Sequence, residues 1–284
     1  MTLRIIHLSD PHFGCENAAA VEAAIASANA YAPDLTIISG DLTSNGRSLQ
    51  FKAASLWLKR LPQPQIVTPG NHDVPYWNLA LRFFAPFSRY RRFIGEPLKT
   101  TADLPGLTVR SLNTARGAQP RLDWSKGAIN LAAVEAAAQM QTSTTTLKVL
   151  VCHHPLLDPF AGTNTAAVTG AVHRGGAAAR VLAEAGVDLI LSGHVHNPFV
   201  FALPFAQGRS YAIGAGTLSR RTRGRAAGFS VIEADAETIK VTAMEWSGSQ
   251  FHPATVWRLP RRTEAAQAEA LHINGAALPI CGEK

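Results

Sequence analysis

Cysteine is scarce in this chain of 284 residues. Its three cysteines, Cys15, Cys152 and Cys281, are odd in number and show no CxxC spacing, which argues against a disulfide framework and predicts a reducing compartment. No uninterrupted apolar run reaches the length of a bilayer, so we expect no membrane span. Residues 3–8 enter an apolar run without the charged region of a signal peptide. The cytoplasm is therefore the expected location.

Charged residues are also few, at 17% of the chain, and the 20 acidic residues are outnumbered by 27 lysines and arginines. The formal net charge of +7 is explained by solubility alone or by attraction to phosphate-bearing partners. Hydrophobic residues make up 46% of the chain, as in ordinary globular proteins. The length suits one large domain or two small ones with a substantial core.

The first quarter of the chain alternates between strand and helix patterns. Strands are predicted at 3–9, 34–39 and 65–68, and helices at 18–30 and 48–61, a pattern typical of a parallel sheet with helical crossovers. Later strands are predicted at 107–112, 146–151 and 187–191, and later helices at 128–141 and 177–185. After His196, extended segments at 199–203, 209–213, 228–234 and 238–246 predict an antiparallel sheet or meander.

Two regions depart from this alternation. Residues 76–97 mix aromatic residues with arginines, which predicts either a cap beside a functional site or a helix with one face on the core and its arginines in solvent. Residues 260–284 show little periodicity and are expected to form a tail that runs over the surface or frays.

Side chains that bind metals or carry protons directly follow five of the predicted strands. Because the carboxyl ends of parallel strands meet at one sheet edge, these side chains are expected to converge there. Carboxylate, imidazole and amide oxygen together are ligands for Mn, Fe or Zn. Seven such residues are too many for one tetrahedral ion and suit a pair of ions that share a carboxylate. The seven are Asp10, His12, Asp41, Asn71, His153, His194 and His196.

Each motif taken alone also has a purely structural explanation. Asp10 can belong to a turn, Asp41 can cap a helix, and Asn71 is a common turn residue. His153 can form a structural pair with its neighbour His154. A metal site is absent only if all these explanations hold together.

The motifs in their order resemble the calcineurin-like metallophosphoesterase superfamily over residues 5–219. They are Asp-x-His at 10–12, Gly-Asp at 40–41, Gly-Asn-His-Asp at 70–73, His153 after a strand, and Gly-His-x-His at 193–196. Gly-Asn-His-Asp together with His-His-Pro at 153–155, and the run at 216–224, is similar to bacterial class III cyclic-nucleotide and glycerophosphodiester phosphodiesterases. This resemblance implies an α/β fold, a four-layer αββα sandwich of two mixed β-sheets flanked by helices, with residues 1–259 as the domain.

The resemblance also implies two divalent metal ions, Mn²⁺, Fe²⁺/Fe³⁺ or Zn²⁺. Asp10, His12 and His196 would hold the first ion. Asn71, His153 and His194 would hold the second, and Asp41 would bridge them. A metal-bridging hydroxide would attack phosphorus while His72 assists the leaving group, and Asp73 is expected to orient His72. Substrate contacts are expected from His154, Arg220, Arg221 and Arg223. The arginines can equally belong to an exposed basic hairpin, and His154 can instead orient a metal ligand.

The expected activity is therefore hydrolysis of small phosphodiesters, with cyclic nucleotides first and glycerophosphodiesters second. The alternatives are a nuclease like the double-strand-break repair nucleases, a non-catalytic scaffold of the same fold, and an enzyme for a lipid-linked substrate. Nucleic acid is not the expected partner because the chain lacks a coiled-coil linker and a separate basic domain. A homo-oligomer remains open.

Overall fold

The computed structural model describes residues 2–96, 100–120, 123–140, 143, 145–161 and 171–261. Residues 262–284 of the tail predicted at 260–284 lie outside these residues. The strands are β1 (Leu3–Leu8), β2 (Leu35–Ile38), β3 (Gln65–Val67), β4 (Thr101–Leu104), β5 (Leu107–Leu112), β6 (Leu147–Cys152), β7 (Leu189–Ser192), β8 (Phe199–Ala202), β9 (Tyr211–Gly214), β10 (Gly228–Ala234), β11 (Thr238–Trp246) and β12 (Phe251–Pro260). The α-helices are α1 (Ala18–Tyr31), α2 (Ser48–Leu58), α3 (Leu79–Phe84), α4 (Ser88–Phe93), α5 (Leu131–Ala138) and α6 (Gly175–Glu184).

Two mixed sheets of six strands each form the centre of the molecule. The first has the order β12-β11-β10-β1-β2-β3 and the second the order β4-β5-β6-β7-β9-β8. In the first sheet β1, β2 and β3 are parallel, and in the second β5, β6, β7 and β9 are parallel. The parallel strands of each sheet share one carboxyl edge, which is where the motifs lie.

Three apolar clusters hold the layers together, and their membership follows the alternation of side chains along the strands. Ile5 and Ile37 face the other sheet, where they pack with Val149 and Leu191. Their neighbours Ile6, Leu8 and Ile38 face the opposite way and pack against α1 and α2. Leu150 and Ile190 of the second sheet pack in the same manner against α5 and α6. The predicted four-layer sandwich of two mixed sheets flanked by helices is confirmed.

The antiparallel sheet predicted after His196 is wrong as a single unit. β8 pairs with β9 in an antiparallel way, but β9 pairs parallel to β7 in the second sheet. β10, β11 and β12 join the first sheet instead, where β10 pairs antiparallel to β1. The segments are extended as predicted, but which sheet each one joins depends on contacts far away in sequence.

Two strands escaped prediction, β4 and β12. β12 contains Pro253 and Pro260, and proline normally argues against a strand. It is an edge strand, where a missing backbone donor costs little. The segment at 76–97 forms two short helices, α3 and α4, rather than one. Within the described residues no helix is long and apolar enough to cross a membrane.

Candidate metal centre

The predicted residues meet at the common carboxyl edge of the two sheets. Asp10 and His12 follow β1, Asp41 follows β2, and Asn71 lies in a 3-10 turn after β3. The second sheet contributes His153 at the end of β6, and His194 and His196 after β7. All seven side chains are buried. Polar groups at this depth need partners inside the protein or a bound ion.

Five of these residues have backbone conformations that side chains other than glycine rarely adopt. Their φ angles are positive: 52° at Asp10, 47° at His12, 52° at Asp41, 68° at His194 and 63° at His196. Each such residue is conformationally costly, and such strain concentrates at functional sites. The turn after each strand therefore directs a side chain into the site at the expense of a low-energy backbone conformation.

Asp10, His12 and His196 form the first cluster. Asp10 Oδ1 lies 3.1 Å from His196 Nε2 and 3.6 Å from His12 Nε2, and the two Nε2 atoms are 3.2 Å apart. Asp10 Oδ2 accepts hydrogen bonds from Ser9 Oγ and from the His194 N–H. Asp10 Oδ1 is buried and accepts no hydrogen bond from any described residue. One carboxylate oxygen is thus anchored and the other is left facing two imidazole nitrogens.

Asp41 joins this cluster to a second one. Its Oδ2 lies 3.7 Å from His12 Nε2 and 3.3 Å from His153 Nε2, while its Oδ1 accepts a hydrogen bond from the His72 N–H at 2.8 Å. Asn71 Oδ1 lies 3.1 Å from the same His153 Nε2. One carboxylate therefore faces both groups of ligands.

Backbone carbonyl groups set the orientation of two of the imidazoles. His153 Nδ1 donates to the Ser39 carbonyl at 2.8 Å, and His196 Nδ1 donates to the Arg221 carbonyl at 2.5 Å. A donor proton on Nδ1 leaves Nε2 with its lone pair directed at the cluster, which is the form of histidine that binds metals.

The acids and imidazoles strongly influence one another's ionisation. Burial opposes ionisation of Asp10, but His196 and His12 more than offset it, so the pKa of Asp10 lies well below its usual range. The pKa of Asp41 is lowered in the same way, chiefly by His153. Burial lowers the pKa of His153, but the charge of Asp41 overcomes this and raises it to about 9. Burial, with two neighbouring imidazoles, places the pKa of His194 well below its usual range.

Glycine is required where these turns touch. Gly40 has a φ of 99°, and a Cβ there would lie 2.6 Å from His153 Nδ1. A Cβ on Gly193 would overlap Ser9 Oγ and Asp10 Oδ2. The sheets come together at the site only because these positions have no side chain.

His72 lies at the mouth of the site with both ring nitrogens engaged. Its Nδ1 donates to the Ser44 carbonyl at 2.8 Å, and its Nε2 lies 3.1 Å from Nη1 of Arg221. A nitrogen of His72 also comes within 4.8 Å of ligand atoms of His12 and Asp41. The ring is therefore held by the backbone on one side and directed towards the open side of the site on the other.

The expectation that Asp73 orients His72 is wrong. Its carboxylate accepts hydrogen bonds from the backbone N–H groups of Leu42, Thr43 and Gly70, and from Thr43 Oγ1. Asp73 thus ties the loop after β3 to the loop after β2, and the Ser44 carbonyl orients His72 in its place. Burial, and next the charge of Asp41, raise the pKa of Asp73 to about 7.

Of the two tasks expected for His154, orienting a substrate or orienting a ligand, its position suits the second. It is buried, its Nε2 donates to the Ser125 carbonyl at 2.7 Å, and its Nδ1 is 2.7 Å from Thr114 Oγ1. Its nitrogens come near those of His153 and His194, but both are already bonded to protein. Burial lowers its pKa to about 3. His154 supports the ring of His194 from behind, with ring centroids 4.7 Å apart.

The three arginines predicted to contact substrate differ in their placement. Arg221 reaches His72 as described. Partial burial lowers the pKa of Arg223, against the charges of Asp10 and Asp41, which act to raise it. The Arg220 N–H donates to the Cys15 carbonyl, and no contact among the described residues brings its guanidinium to the cluster.

Several residues that shape the site were missed from the sequence. They are the hydroxyl and carbonyl partners Ser9, Ser39, Thr43, Ser44 and Thr114. Ser9 and Ser39 had a signal, since each stands at the end of a strand just before the motif that it supports. Thr114 had none, because it meets His154 only through the packing of β5 beside β6.

The arrangement fits divalent metal ions. A buried carboxylate oxygen without a hydrogen bond and several imidazole nitrogens form groups whose ligand atoms lie within 4.8 Å of one another, and the amide oxygen of Asn71 is 3.1 Å from one of these nitrogens. This mixture of oxygen and nitrogen donors without thiolate suits Mn, Fe or Zn.

The relatives of this chain agree with that chemistry. A sequence model of the calcineurin-like phosphoesterase family matches residues 3–198. A probable cyclic nucleotide phosphodiesterase of Synechococcus sp. is 28% identical over 211 residues, which cover 70% of this chain and 76% of that protein.

Solved structures with the same fold extend further along the chain. The purple acid phosphatase PPD1 of yellow lupin superposes with a TM-score of 0.65 at 12% identity, covering 92% of this chain but only 54% of that one. GAP50, the anchor in the inner membrane complex of Plasmodium, superposes with a TM-score of 0.59 at 14% identity, covering 96% and 95% of the two chains. At such identities the likeness concerns the fold alone. With the family match spanning all five motifs, the chain belongs to the calcineurin-like phosphoesterase family.

Proposed function

We propose that this chain is a metal-dependent phosphodiesterase that hydrolyses small phosphodiesters, with cyclic nucleotides as the first candidate substrates and glycerophosphodiesters as the second. The observation that carries the proposal is the position of Asp41. Its Oδ2 faces His12 Nε2 at 3.7 Å and His153 Nε2 at 3.3 Å, so one carboxylate serves two ligand clusters. The Synechococcus relative, named as a probable cyclic nucleotide phosphodiesterase, supports the choice of substrate.

The proposed metal ligands follow the two clusters. Asp10, His12 and His196 would hold one ion and Asn71, His153 and His194 the other, with Asp41 shared. Mn²⁺, iron or Zn²⁺ all suit these donors. Two bound divalent ions would supply the Lewis acidity that polarises phosphoryl oxygens and makes water nucleophilic near neutral pH.

The residues around the ligands then have defined tasks. Because Ser44 holds the Nδ1 proton of His72, Nε2 is the atom that takes up a proton and passes it to the leaving oxygen. Arg221 and Arg223 would bind the non-bridging phosphate oxygens, which carry the substrate's charge. Arg221 also holds His196 through its carbonyl, so substrate binding and ligand orientation share one residue.

The proposal includes the cytoplasm as the location and residues 1–259 as one catalytic domain. Cys15 and Cys152 are both free thiols, which suits a reducing compartment.

The proposal is tested by stripping the full chain with a chelator and assaying bis(p-nitrophenyl) phosphate. Hydrolysis should be lost and should return with Mn²⁺, with about two ions bound per chain by elemental analysis. Undiminished hydrolysis by the stripped protein would contradict the mechanism. Metal uptake without hydrolysis of any substrate in a panel of cyclic nucleotides, glycerophosphodiesters, single-stranded DNA and monoesters would support a scaffold instead.

A further inference from the structure

An apolar surface lies next to the proposed site and has no place in its chemistry. Among the described residues, eight large hydrophobic side chains are exposed, and five of them fall within nine consecutive positions. Trp77 is 73% exposed and Phe84 is 91% exposed. We call this surface the aromatic ridge; its members are Tyr76, Trp77, Leu79, Phe83 and Phe84. Clustered exposure of this kind marks an interaction surface, whereas single exposed residues need no explanation.

The aromatic ridge stands on a rigid base. Arg82 is buried, and its Nε donates to the Gly117 carbonyl at 2.7 Å while its Nη1 donates to the Pro75 carbonyl at 3.2 Å. Its guanidinium lies 6.0 Å from the ring centroid of Tyr76 and 5.3 Å from that of Trp124. The ridge is therefore presented in a defined shape, as expected of a surface that binds something.

The stretch of sequence that bears the aromatic ridge carries charge of one sign. Residues 74–95 contain four arginines and no aspartate or glutamate. Two of them, Arg91 and Arg92, are exposed on α4, and Arg91 pairs with Glu96 just beyond this stretch. A second copy of the chain on the ridge would bring these like charges together, which disfavours a symmetric dimer.

The composition of the surface distinguishes between the two remaining kinds of partner, a nucleic acid and a lipid bilayer. Arg82 and Arg89 use N–H groups on backbone carbonyls, so they are not free to follow a phosphate backbone as in single-strand binding. Leu79 offers no ring for base stacking. Protruding Trp, Phe and Leu side chains flanked by arginine are instead typical of segments that lie in the interface of a bilayer. Arginine beside such a segment favours anionic lipid headgroups.

The aromatic ridge is also coupled to the site by position. The Tyr76 N–H donates to the Asn45 carbonyl, and Asn45 follows Ser44, whose carbonyl holds His72. We propose that the aromatic ridge docks this protein on an anionic lipid surface. Resting on the proposed function, the docked chain would hydrolyse phosphodiesters presented at that surface.

The test measures binding apart from catalysis. The full chain is sedimented with vesicles of phosphatidylcholine containing phosphatidylglycerol, and with vesicles of phosphatidylcholine alone. Binding is expected to the anionic vesicles and to weaken with added salt. The double variant Trp77→Ser/Phe84→Ser should bind at least about tenfold more weakly, since two large side chains no longer enter the interface. Hydrolysis of soluble bis(p-nitrophenyl) phosphate should be unchanged in this variant.

A matched control is available at the β12 edge of the first sheet, far from the strand that leads to the site. Val256 is 48% exposed on β12, whereas β3, which leads to the site, is the opposite edge. Val256→Ser should bind vesicles like the natural chain. Arg91→Gln/Arg92→Gln should lose the preference for anionic vesicles and keep its melting temperature.

Other results would overturn the proposal. Failure of the natural chain to bind anionic vesicles, or equal binding by the double variant, would exclude docking through the aromatic ridge. If the natural chain is a dimer in solution and the double variant is a monomer, the ridge binds a second copy instead. If the natural chain binds single-stranded DNA and the double variant does not, the ridge binds nucleic acid instead. Metal-dependent hydrolysis without vesicle binding would refute docking and leave the proposed function standing. Vesicle binding without metal-dependent hydrolysis would refute only the proposed function.

Discussion

The side chains at the strand ends and the two arginines Arg221 and Arg223 are proposed to act at the same site but are held in different ways. Asp10 and His153 are buried, and each has one atom tied to its own protein and another directed inward. Arg221 and Arg223 are exposed on a loop, and Arg223 has a φ of 49°. The difference suits the two tasks that we propose for these groups. Metal ligands need fixed geometry, which burial and hydrogen bonds provide, whereas groups that receive a substrate must remain reachable.

The aromatic ridge extends the comparison to a third region. Its base, centred on Arg82, is held by hydrogen bonds as the ligands are, but its outward side chains are 52% to 91% exposed. The strand-end side chains are thus buried, whereas Arg221, Arg223 and the ridge are exposed. We expect the effect of substitutions on catalysis to fall from the strand-end side chains to the arginines and then to the ridge, because the ridge has no place in the chemistry.

The largest effect is expected for Asp41→Asn. The substitution keeps the size of the side chain and an oxygen for the His72 N–H, but removes the charge that both clusters face. Metal content and hydrolysis should fall together, with kcat reduced at least about 10⁴-fold because the shared ligand serves both ions. Asp103→Asn is the control, since Asp103 forms an exposed ion pair with Arg110. An Asp41 variant that keeps both ions and full activity would contradict the role of Asp41 as the shared ligand.

The next effect is expected for His72→Ala, which tests whether His72 acts on the proton or on the metal. Turnover should fall roughly 10²–10⁴-fold, as for loss of a general acid, while elemental analysis still finds both ions. The loss should be greater for a substrate with a poor leaving group than for bis(p-nitrophenyl) phosphate. Loss of an ion would instead place His72 among the ligands, with His12 and Asp41.

A smaller effect is expected for Arg221→Ala, at the exposed end of the comparison. Because the backbone carbonyl that holds His196 is retained, metal content should not change. Loss of a charged phosphate contact should lower kcat/KM by about 10- to 100-fold, mainly through KM. Arg220→Ala should have little effect. If Arg221→Ala and Arg220→Ala lower kcat/KM equally, the loop acts through its net positive charge and not through a specific contact of Arg221.

The smallest effect concerns stability rather than catalysis. His7 is buried in β1 beside Ser39, and burial lowers its pKa from 6.5 to about 3. Below pH 6.5 the unfolded chain therefore binds a proton at His7 that the folded chain does not bind. The contribution of His7 to the free energy of unfolding is fully present above pH 6.5 and decreases as the pH falls. The contribution should amount to about 2 kcal/mol between pH 6.5 and 5. Urea unfolding of His7→Gln over this range should show a shallower pH dependence, and an identical slope would refute the assignment.

Much of the site was predictable because its residues stand in local motifs. Each ligand directly follows a strand-like apolar run, so its placement at a strand end needs only the local pattern. The parallel alternation of β1, α1, β2, α2 and β3 then brings Asp10, Asp41 and Asn71 to one edge by topology alone. The strand-end pattern also gave His153 and His194, and the family resemblance added the second sheet on which they stand.

The hydrogen-bond partners of Asp73 and His154 could not be predicted in this way. Adjacent residues in a tight turn point in different directions, and the direction of Asp73 is set by three backbone N–H groups from two loops. His154 is adjacent to a ligand in sequence, but Thr114 and Ser125, which are distant in the chain, occupy its nitrogens.

The sequence by itself determined the candidate ligand set, the strand ends that bear it and the α/β class, because these follow from short-range periodicity and from motifs of a few residues. Only the tertiary structure decided which sheet each late strand joins, which ring nitrogen is free and which apolar residues remain outside. Those outcomes depend on hydrogen bonds and contacts between residues far apart in the chain. No local pattern records such contacts, since they exist only after the two sheets have packed.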